Sequence, residues 1–510
     1  MKIAIVGSGV SGLSAAWLLS EHSAHEVHIF EKNDYIGGHT HTIDYPAPTT
    51  PEGRHPLKPL TVPVDTGFIV FNHLTYTNLI RFLNHKRVEF IDSEMTFSVC
   101  RDAGKFEWSG SNLLTVFAQP SNLVRWGHWR MIYDIIKFNI MSLEVLGWAE
   151  EDERKQWSLK QYLDWRGFGR EFKDNYLLPM TAAIWSTPPD KCSFDFPALT
   201  LIRFMHNHCL LQVDDRPKWL TIKDGSRSYI QAILPTLKHA HPSTPISSVR
   251  RNANGTTTLL GGTSEAANLG TYDHVIFASH ADETLRILGD QATIEERRVL
   301  GGIRFSENEV YVHTDERLMP SRRSVWTSWN YLSTPGKDGK VEDSVSLTYW
   351  MNNLQRYIPT EIFGQIFVTM NPPATLLPEP SKTHARYTYT HPAFTPHLIS
   401  SQPLFRLPLP TPSAQTLQGV HNTWHAGAWT GYGFHEDGFT AGAKVAVALG
   451  AQSPFEINEA RYEDGEREKV QSAIEAWARA WWYDRLERVV AGAVVAATAW
   501  WVAGVVGLTC

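Results

Sequence analysis

Cysteine is scarce in this chain of 510 residues: Cys100, Cys192, Cys209 and Cys510 stand far apart, with no CxxC or CxxH pair. Four thiols so spaced give no support to a disulfide scaffold, a zinc site or a dithiol redox centre. A basic excess is also missing. Lys and Arg total 47 against 53 acidic residues, a formal net charge of −6, so no nucleic-acid partner is expected; that would call for a basic patch. The N-terminus lacks the basic region, long apolar core and small-residue cleavage site of a secretory signal. What remains is ordinary for a folded chain, with 43% hydrophobic and 20% charged residues. The length leads one to expect two to four domains at roughly 150 residues each.

The first residues are the most informative. Lys2 to Val6 is a short apolar run, rich in β-branched residues and stopped by Gly7, and reads as a buried strand. Gly7-Ser8-Gly9-Val10-Ser11-Gly12 follows and opens a helical apolar pattern; Glu26 to Phe30 is a second strand, closed by Glu31 and Lys32. Strand, GxGxxG, helix, strand and acid in this order form a dinucleotide-binding fingerprint. The glycines serve the tight turn, the approach to a pyrophosphate and the packing of helix on strand, while Glu31 is placed to accept ribose hydroxyls. The pyrophosphate would sit on the free N–H groups at the helix start, near Val10 and Ser11.

Beyond the acid comes a glycine doublet, Gly37-Gly38-His39-Thr40. With it the sequence resembles the flavin-containing amine oxidoreductase superfamily, in which an arginine follows the doublet where this chain has His39. A second match lies far downstream, in His425-Ala-Gly427-Ala-Trp429-Thr-Gly431 and Gly438-Phe439-Thr440-Ala-Gly442, which look like the superfamily's C-terminal flavin motif. Small residues and helix N–H dipoles there suit a flavin that becomes negative on reduction. Longer stretches are similar to one subfamily, FAD-dependent oxidoreductases often associated with cyclopropane fatty acid synthases. They include Val64-Asp65-Thr66-Gly67-Phe68, Gly225-Ser226-Arg227, Trp329-Asn330-Tyr331, Tyr349-Trp350-Met-Asn352 and Gly431-Tyr-Gly-Phe-His435-Glu436-Asp437.

The resemblance implies an α/β fold: a Rossmann-like FAD-binding domain with a mixed sheet, discontinuous in sequence, and an inserted α+β substrate domain. FAD-binding pieces are expected at 1–75, 215–300 and 415–455, and substrate pieces at 76–214 and 301–414. Within the first set, Asn252-Ala-Asn254-Gly255 is a hairpin signal, and the resemblance puts an adenine contact near Val249, through backbone groups. It also implies FAD contacts at Gly37, Gly38, His39, Thr40, Gly427, Trp429, Gly438, Phe439 and Thr440. No cysteine falls within 427–442, so the flavin is expected to be non-covalent. A second fingerprint for NAD(P)H is not evident.

Residues 456–488 read as a charged, aromatic helix, and Val489 to Leu508 is a run of twenty residues without a charge. Twenty helical residues span about 30 Å, the hydrocarbon thickness of a bilayer. The expectation is a C-terminal hydrophobic helix acting as a membrane tail anchor with the catalytic body in the cytosol; a final buried helix or a hairpin on one leaflet remain open. The segment from Asn122 to Trp148 reads as an amphipathic helix, either of the core or pressed on a bilayer.

His435 and Glu436 lie beside the flavin motif and are the candidate catalytic groups. Trp429, Tyr432 and Phe434 are candidate walls of an apolar slot, and Trp329, Asn330, Tyr331, Tyr349, Trp350 and Asn352 candidate substrate contacts. His39 and His41 do not complete a ligand set, so no metal is expected. The expected activity is oxidation or desaturation of a hydrophobic substrate such as a lipid acyl chain. An amine or polyamine oxidase, an acyl double-bond isomerase and a non-catalytic lipid- or prenyl-binding escort stay open, as does the oligomeric state.

Overall fold

The structure is a computed structural model that describes residues 1–48, 60–102, 104–149, 151–185, 196–211, 217–262, 267–333, 346–408 and 415–458. The charged helix and apolar run expected at 456–488 and 489–508 therefore lie, but for their first three residues, outside the described residues. Among those described, no helix is long and apolar enough to cross a membrane.

Two compact units are present. The first comprises Met1–Val124, Leu177–Phe194 and Pro217–Ala460. At its centre is a five-stranded sheet in the order His239–His241, Glu26–Phe30, Lys2–Val6, His274–Phe277, Thr423–His425. All four pairings are parallel, which corrects the expectation of a mixed sheet. The central strand Lys2–Val6 reads as a continuous apolar run because both its faces are covered: Ile3, Ala4 and Ile5 have no exposed surface. Strand order reverses on either side of Lys2–Val6, which makes the carboxyl ends of this strand and of His274–Phe277 a topological switch point, where such sheets bind ligands.

The Val10–His22 helix covers one face and is buried almost all round, through Leu13, Ala15, Ala16, Trp17, Leu18 and Leu19. It has little amphipathic character because a second helix, His435–Ala448, lies along its other side. Ser14 Oγ donates to the Phe439 carbonyl at 2.9 Å, and Trp17, Phe82 and Phe439 interlock at 4.7 to 6.3 Å.

A three-stranded antiparallel sheet, Ile246–Arg251, Thr257–Gly261 and Ala267–Tyr272, carries the Asn252–Gly255 hairpin turn. A seven-stranded sheet is formed by Phe97–Arg101, Phe106–Ser109 and five strands between 305 and 392, with one parallel pair, Phe97–Arg101 beside Trp329–Ser333. Its core holds Val310, Val312, Leu347, Tyr349, Val368 and Met370. The two motifs Val64-Asp65 and Gly225-Ser226 meet in a buried knot. Asp65 accepts from Thr42 Oγ1, from the Ser226 N–H and Oγ, and from Gln355 Nε2, at 2.5 to 3.0 Å. Burial nonetheless pushes its carboxyl up to about 6.

The second unit comprises Arg125–Tyr176, Asp195–Arg216 and Arg461–Cys510, and its described part is helical. The Trp126–Met141 helix buries His128, Met131, Asp134 and Phe138, while Phe138, Phe168 and Phe172 pack at 5.1 to 5.7 Å. A capping box of Ser158 and Gln161 starts the Leu159–Trp165 helix.

Candidate functional site

The site lies at the switch point of the first unit. Gly7 leaves Lys2–Val6 with φ +102°, a conformation that side chains rarely adopt, and a Cβ there would lie 2.9 Å from the Ala278 carbonyl oxygen. Gly12 is closer still, with a Cβ position 2.0 Å from the Gly7 carbonyl oxygen. Gly9, in contrast, faces open space, with nothing within 4 Å of its Cβ position. That space is a cleft of about 600 Å³ lined by Gly7, Ser8, Gly9, Glu31, Lys32, Gly38, His39, Ser279 and His280. The free N–H groups of the first helical turn begin beside it. Glu31 sits on its wall, accepting from Ser8 N–H at 3.0 Å, Ser8 Oγ at 2.6 Å and Asn33 N–H at 2.9 Å. Lys32 pairs with Glu283 at 2.9 Å, and both belong to the lining.

Of the segment expected to contact adenine, Thr244, Pro245 and Ile246 line the cleft. Val249, whose expected contact is through backbone groups, lies three residues beyond Ile246 on the same strand, paired with Leu259 and with its side chain buried.

A smaller chamber of about 120 Å³ shares Gly9, His39, Ala278, Ser279, His280 and Thr390 with the cleft. Its other walls include Val10, Ser11, His391, Gly427, Trp429, Phe434 and His435. The two distant glycine clusters thus converge: Gly438 would place a Cβ 2.6 Å from Val10 and 3.0 Å from Ser11 Oγ. Gly38 likewise packs on Gly9, with a Cβ position 2.9 Å from its Cα. The Gly37 N–H donates to Ser8 Oγ at 3.2 Å.

No charged side chain lines the chamber among the described residues. Its imidazoles are kept neutral by burial, which pushes His39 and His280 down to about 4 and His391 and His435 down to about 3. His435 lies 2.9 Å from Tyr229 OH and 3.2 Å from Thr40 Oγ1 through Nε2, and stacks on Phe68 at 3.7 Å. Thr40 and Tyr229 are themselves 2.6 Å apart. Asn308 Nδ2 donates to His391 Nδ1 at 2.8 Å, and His280 stacks on Phe305 at 4.2 Å. Trp429 donates from Nε1 to the Ser279 carbonyl at 3.3 Å.

Other expected site residues turn elsewhere. Glu436 is a correction to the catalytic pair. Its two oxygens accept the Asn78 and Leu79 N–H groups at 2.8 and 2.9 Å, capping the Thr77–His85 helix, and burial pushes it up to about 7. Phe439 packs into the core beside Trp17, and Thr440 Oγ1 accepts from Asn78 Nδ2 at 2.8 Å; neither side chain is turned to the chamber. Asn330 and Asn352 donate to the backbone carbonyls of Thr327, Thr348 and Gly364, and Tyr349 is core. The sequence reading missed Tyr229, His280, His391 and Tyr389, the last a wall of the larger cleft. Only His280 carried a local signal, as the residue that ends the small-residue turn after a strand.

These donors fit a dinucleotide such as FAD: free helix N–H groups for a pyrophosphate, a carboxylate at the ribose position and a cleft within the ~300–1,000 Å³ of cofactor sites.

Residues 5–85 match the family of NAD(P)-binding Rossmann-like domains. No curated protein matches the chain in sequence. Several solved structures are similar in fold, each aligned over 88% of this chain. A CLA-producing fatty acid isomerase from P. acnes is 14% identical, with a TM-score of 0.55 and 98% of its own chain covered. Cyclohexylamine oxidase from Brevibacterium oxydans is 13% identical, with a TM-score of 0.56 and 98% covered. Putrescine oxidase bound to putrescine is 15% identical, with a TM-score of 0.56 and 99% covered. The chain thus has a Rossmann-like domain at its start, within a fold it shares over 88% of its length with a fatty acid isomerase and two amine-substrate oxidases.

Proposed function

We propose that this protein is an FAD-dependent oxidoreductase that holds its flavin non-covalently and oxidises or desaturates an uncharged, hydrophobic substrate such as a lipid acyl chain. The observation that carries this reading is the convergence of Gly9 and Gly38 with Gly427 and Gly438 around one cleft and chamber. The fold neighbours support the flavin chemistry, and the chamber supports the substrate class. A cationic amine calls for a nearby carboxylate, and the chamber lining offers neutral imidazoles and aromatic rings instead.

Bound flavin would supply the acceptor for a hydride equivalent from a C–H bond held against it. The chain's own part is to bind, orient and exclude water. Glu31 and the Val10–His22 helix start would hold the ribose and pyrophosphate. Tyr229, Thr40 and the Phe68 face fix the ring of His435, so that a neutral imidazole is presented at a set angle. Trp429 and Phe434 keep the chamber apolar. The uncharged run at 489–508 would bring the chain to a membrane where acyl substrates lie.

Anaerobic mixing of the purified full chain with acyl lipids and with a panel of amines tests this. Bleaching of the flavin band by lipid alone is expected; bleaching by amines alone would overturn the substrate class. Recovery of the protein in the soluble fraction, with and without 489–510, would remove the membrane part.

A further inference from the structure

On the edge of the parallel sheet, away from the cleft, two strands present a ligand pattern that the chemistry above does not use. Glu26 and His28 alternate on one strand and His239 and His241 on its parallel neighbour, with His239 paired directly to His28. Side chains two apart on a strand share a face, so all four stand together. Glu26 Oε1 lies 2.8 Å from His28 Nε2, and the His28 and His239 rings stack at 4.3 Å. One ligand atom from each of Glu26, His28 and His239 can be chosen with all three within 4.8 Å of one another. On the far side of the ring, His28 Nδ1 is 3.1 Å from His241 Nε2.

We propose that Glu26, His28 and His239 form a binding site for a divalent transition-metal cation of the zinc class, with His241 as the positioning residue. Imidazole and carboxylate ligands hold such an ion at about 2.0–2.1 Å in tetrahedral geometry, which sets neighbouring ligand atoms about 3.3 Å apart. The Glu26 to His28 spacing is already close to this, whereas His239 must turn out of its stack on His28 for its lone pair to meet the ion. Ligation through His28 Nε2 requires the proton on Nδ1, and Nδ1–H then donates to His241 Nε2, the outer-shell bond that metal-bound histidines characteristically make. The Glu26 side chain is 52% exposed, which leaves the fourth position to water. Lys2 opposes the ion. Its Nζ lies 3.5 Å from Glu26 Oε1 and over the Tyr272 ring at 5.1 Å, and the metal must displace it from the carboxylate.

A second grouping, Glu21, His22 and His85, is weaker, because Glu21 is already engaged by Trp17 Nε1 and by Lys86. It serves as the control.

The test is a Zn²⁺ titration of the metal-stripped full chain against a chromophoric chelator. One equivalent is expected, weakened at least tenfold by His239→Ala and by Glu26→Gln, whose exposed position protects folding. Lys2→Gln should tighten binding severalfold, and excess zinc should raise the thermal midpoint of the parent but not of His239→Ala. Absence of zinc binding, equal binding by the parent and both ligand variants, or loss of binding in His22→Ala instead, would overturn the proposal. Flavin content does not enter the readout, so this result stands apart from the proposed function.

Discussion

Gly442 approaches Ser11 so closely that a β-carbon on it would lie 2.0 Å from the Ser11 carbonyl oxygen. Two helices from opposite ends of the described chain are thereby locked side by side, and their N-termini are aimed at one cavity. The contact is a packing requirement with a functional consequence.

Gly442→Val should therefore separate the helices. Overpacking of this kind costs roughly 1–3 kcal/mol, so a lower thermal midpoint and loss of bound flavin are expected together in calorimetry and absorbance. A yellow variant with the parent's midpoint would contradict the packing.

Gly9→Ala should do the opposite. Its φ of −65° suits alanine, and its Cβ position meets nothing, so stability should be kept while the methyl group intrudes on the pyrophosphate. Thermal melts without added nucleotide should match the parent, and FAD affinity should fall at least tenfold.

Glu31→Gln keeps the shape of the wall and removes a charged acceptor. Hydrogen bonds to charged groups are worth about 1.5–3 kcal/mol, so FAD should bind roughly ten- to a hundredfold more weakly in a fluorescence titration of the apoprotein.

The chamber imidazoles make stability depend on pH in a fixed direction. Folded values for His39, His280, His391 and His435 fall to about 3 or 4 from 6.5. Their contribution is thus present above pH 6.5 and lost as pH falls toward the folded values, because the unfolded chain takes up the protons. Glu436 and Asp65, raised to about 7 and about 6, act the other way, stabilising below their unfolded values and losing that as pH rises. With His208, His313 and His425, which burial also lowers to about 4, the imidazoles outnumber the two carboxyls, so stability should fall as pH drops from 6 to 5. Urea midpoints across that range check it, with a shallower slope expected for His435→Gln.

Much of this site is written in local sequence. Gly7, Gly9, Gly12 and Glu31 fall within one strand–helix–strand unit, so spacing alone brings them together, and the Gly427–Gly442 block is nearly as compact. The imidazole cluster is different in kind. His391 reaches the chamber only because Thr383–Pro392 pairs along Phe305–His313, a register no local pattern encodes. Glu436 misleads for a related reason. It is one residue from His435, but a step along a helix turns it about 100° away, onto the start of the Thr77–His85 helix. The parallel character of all five strands was equally hidden, because the edge strands His239–His241 and Thr423–His425 are three residues each, too short for a pattern.

The central claim is that one FAD fills the cavity between the two glycine clusters. Its most direct measurement is the amount of FAD bound per chain after the purified full-length protein is incubated with the nucleotide and desalted. The account predicts one FAD for each polypeptide, released intact by denaturation, and lower loading of Gly9→Ala. A colourless parent protein, or equal loading of parent and Gly9→Ala, would contradict it.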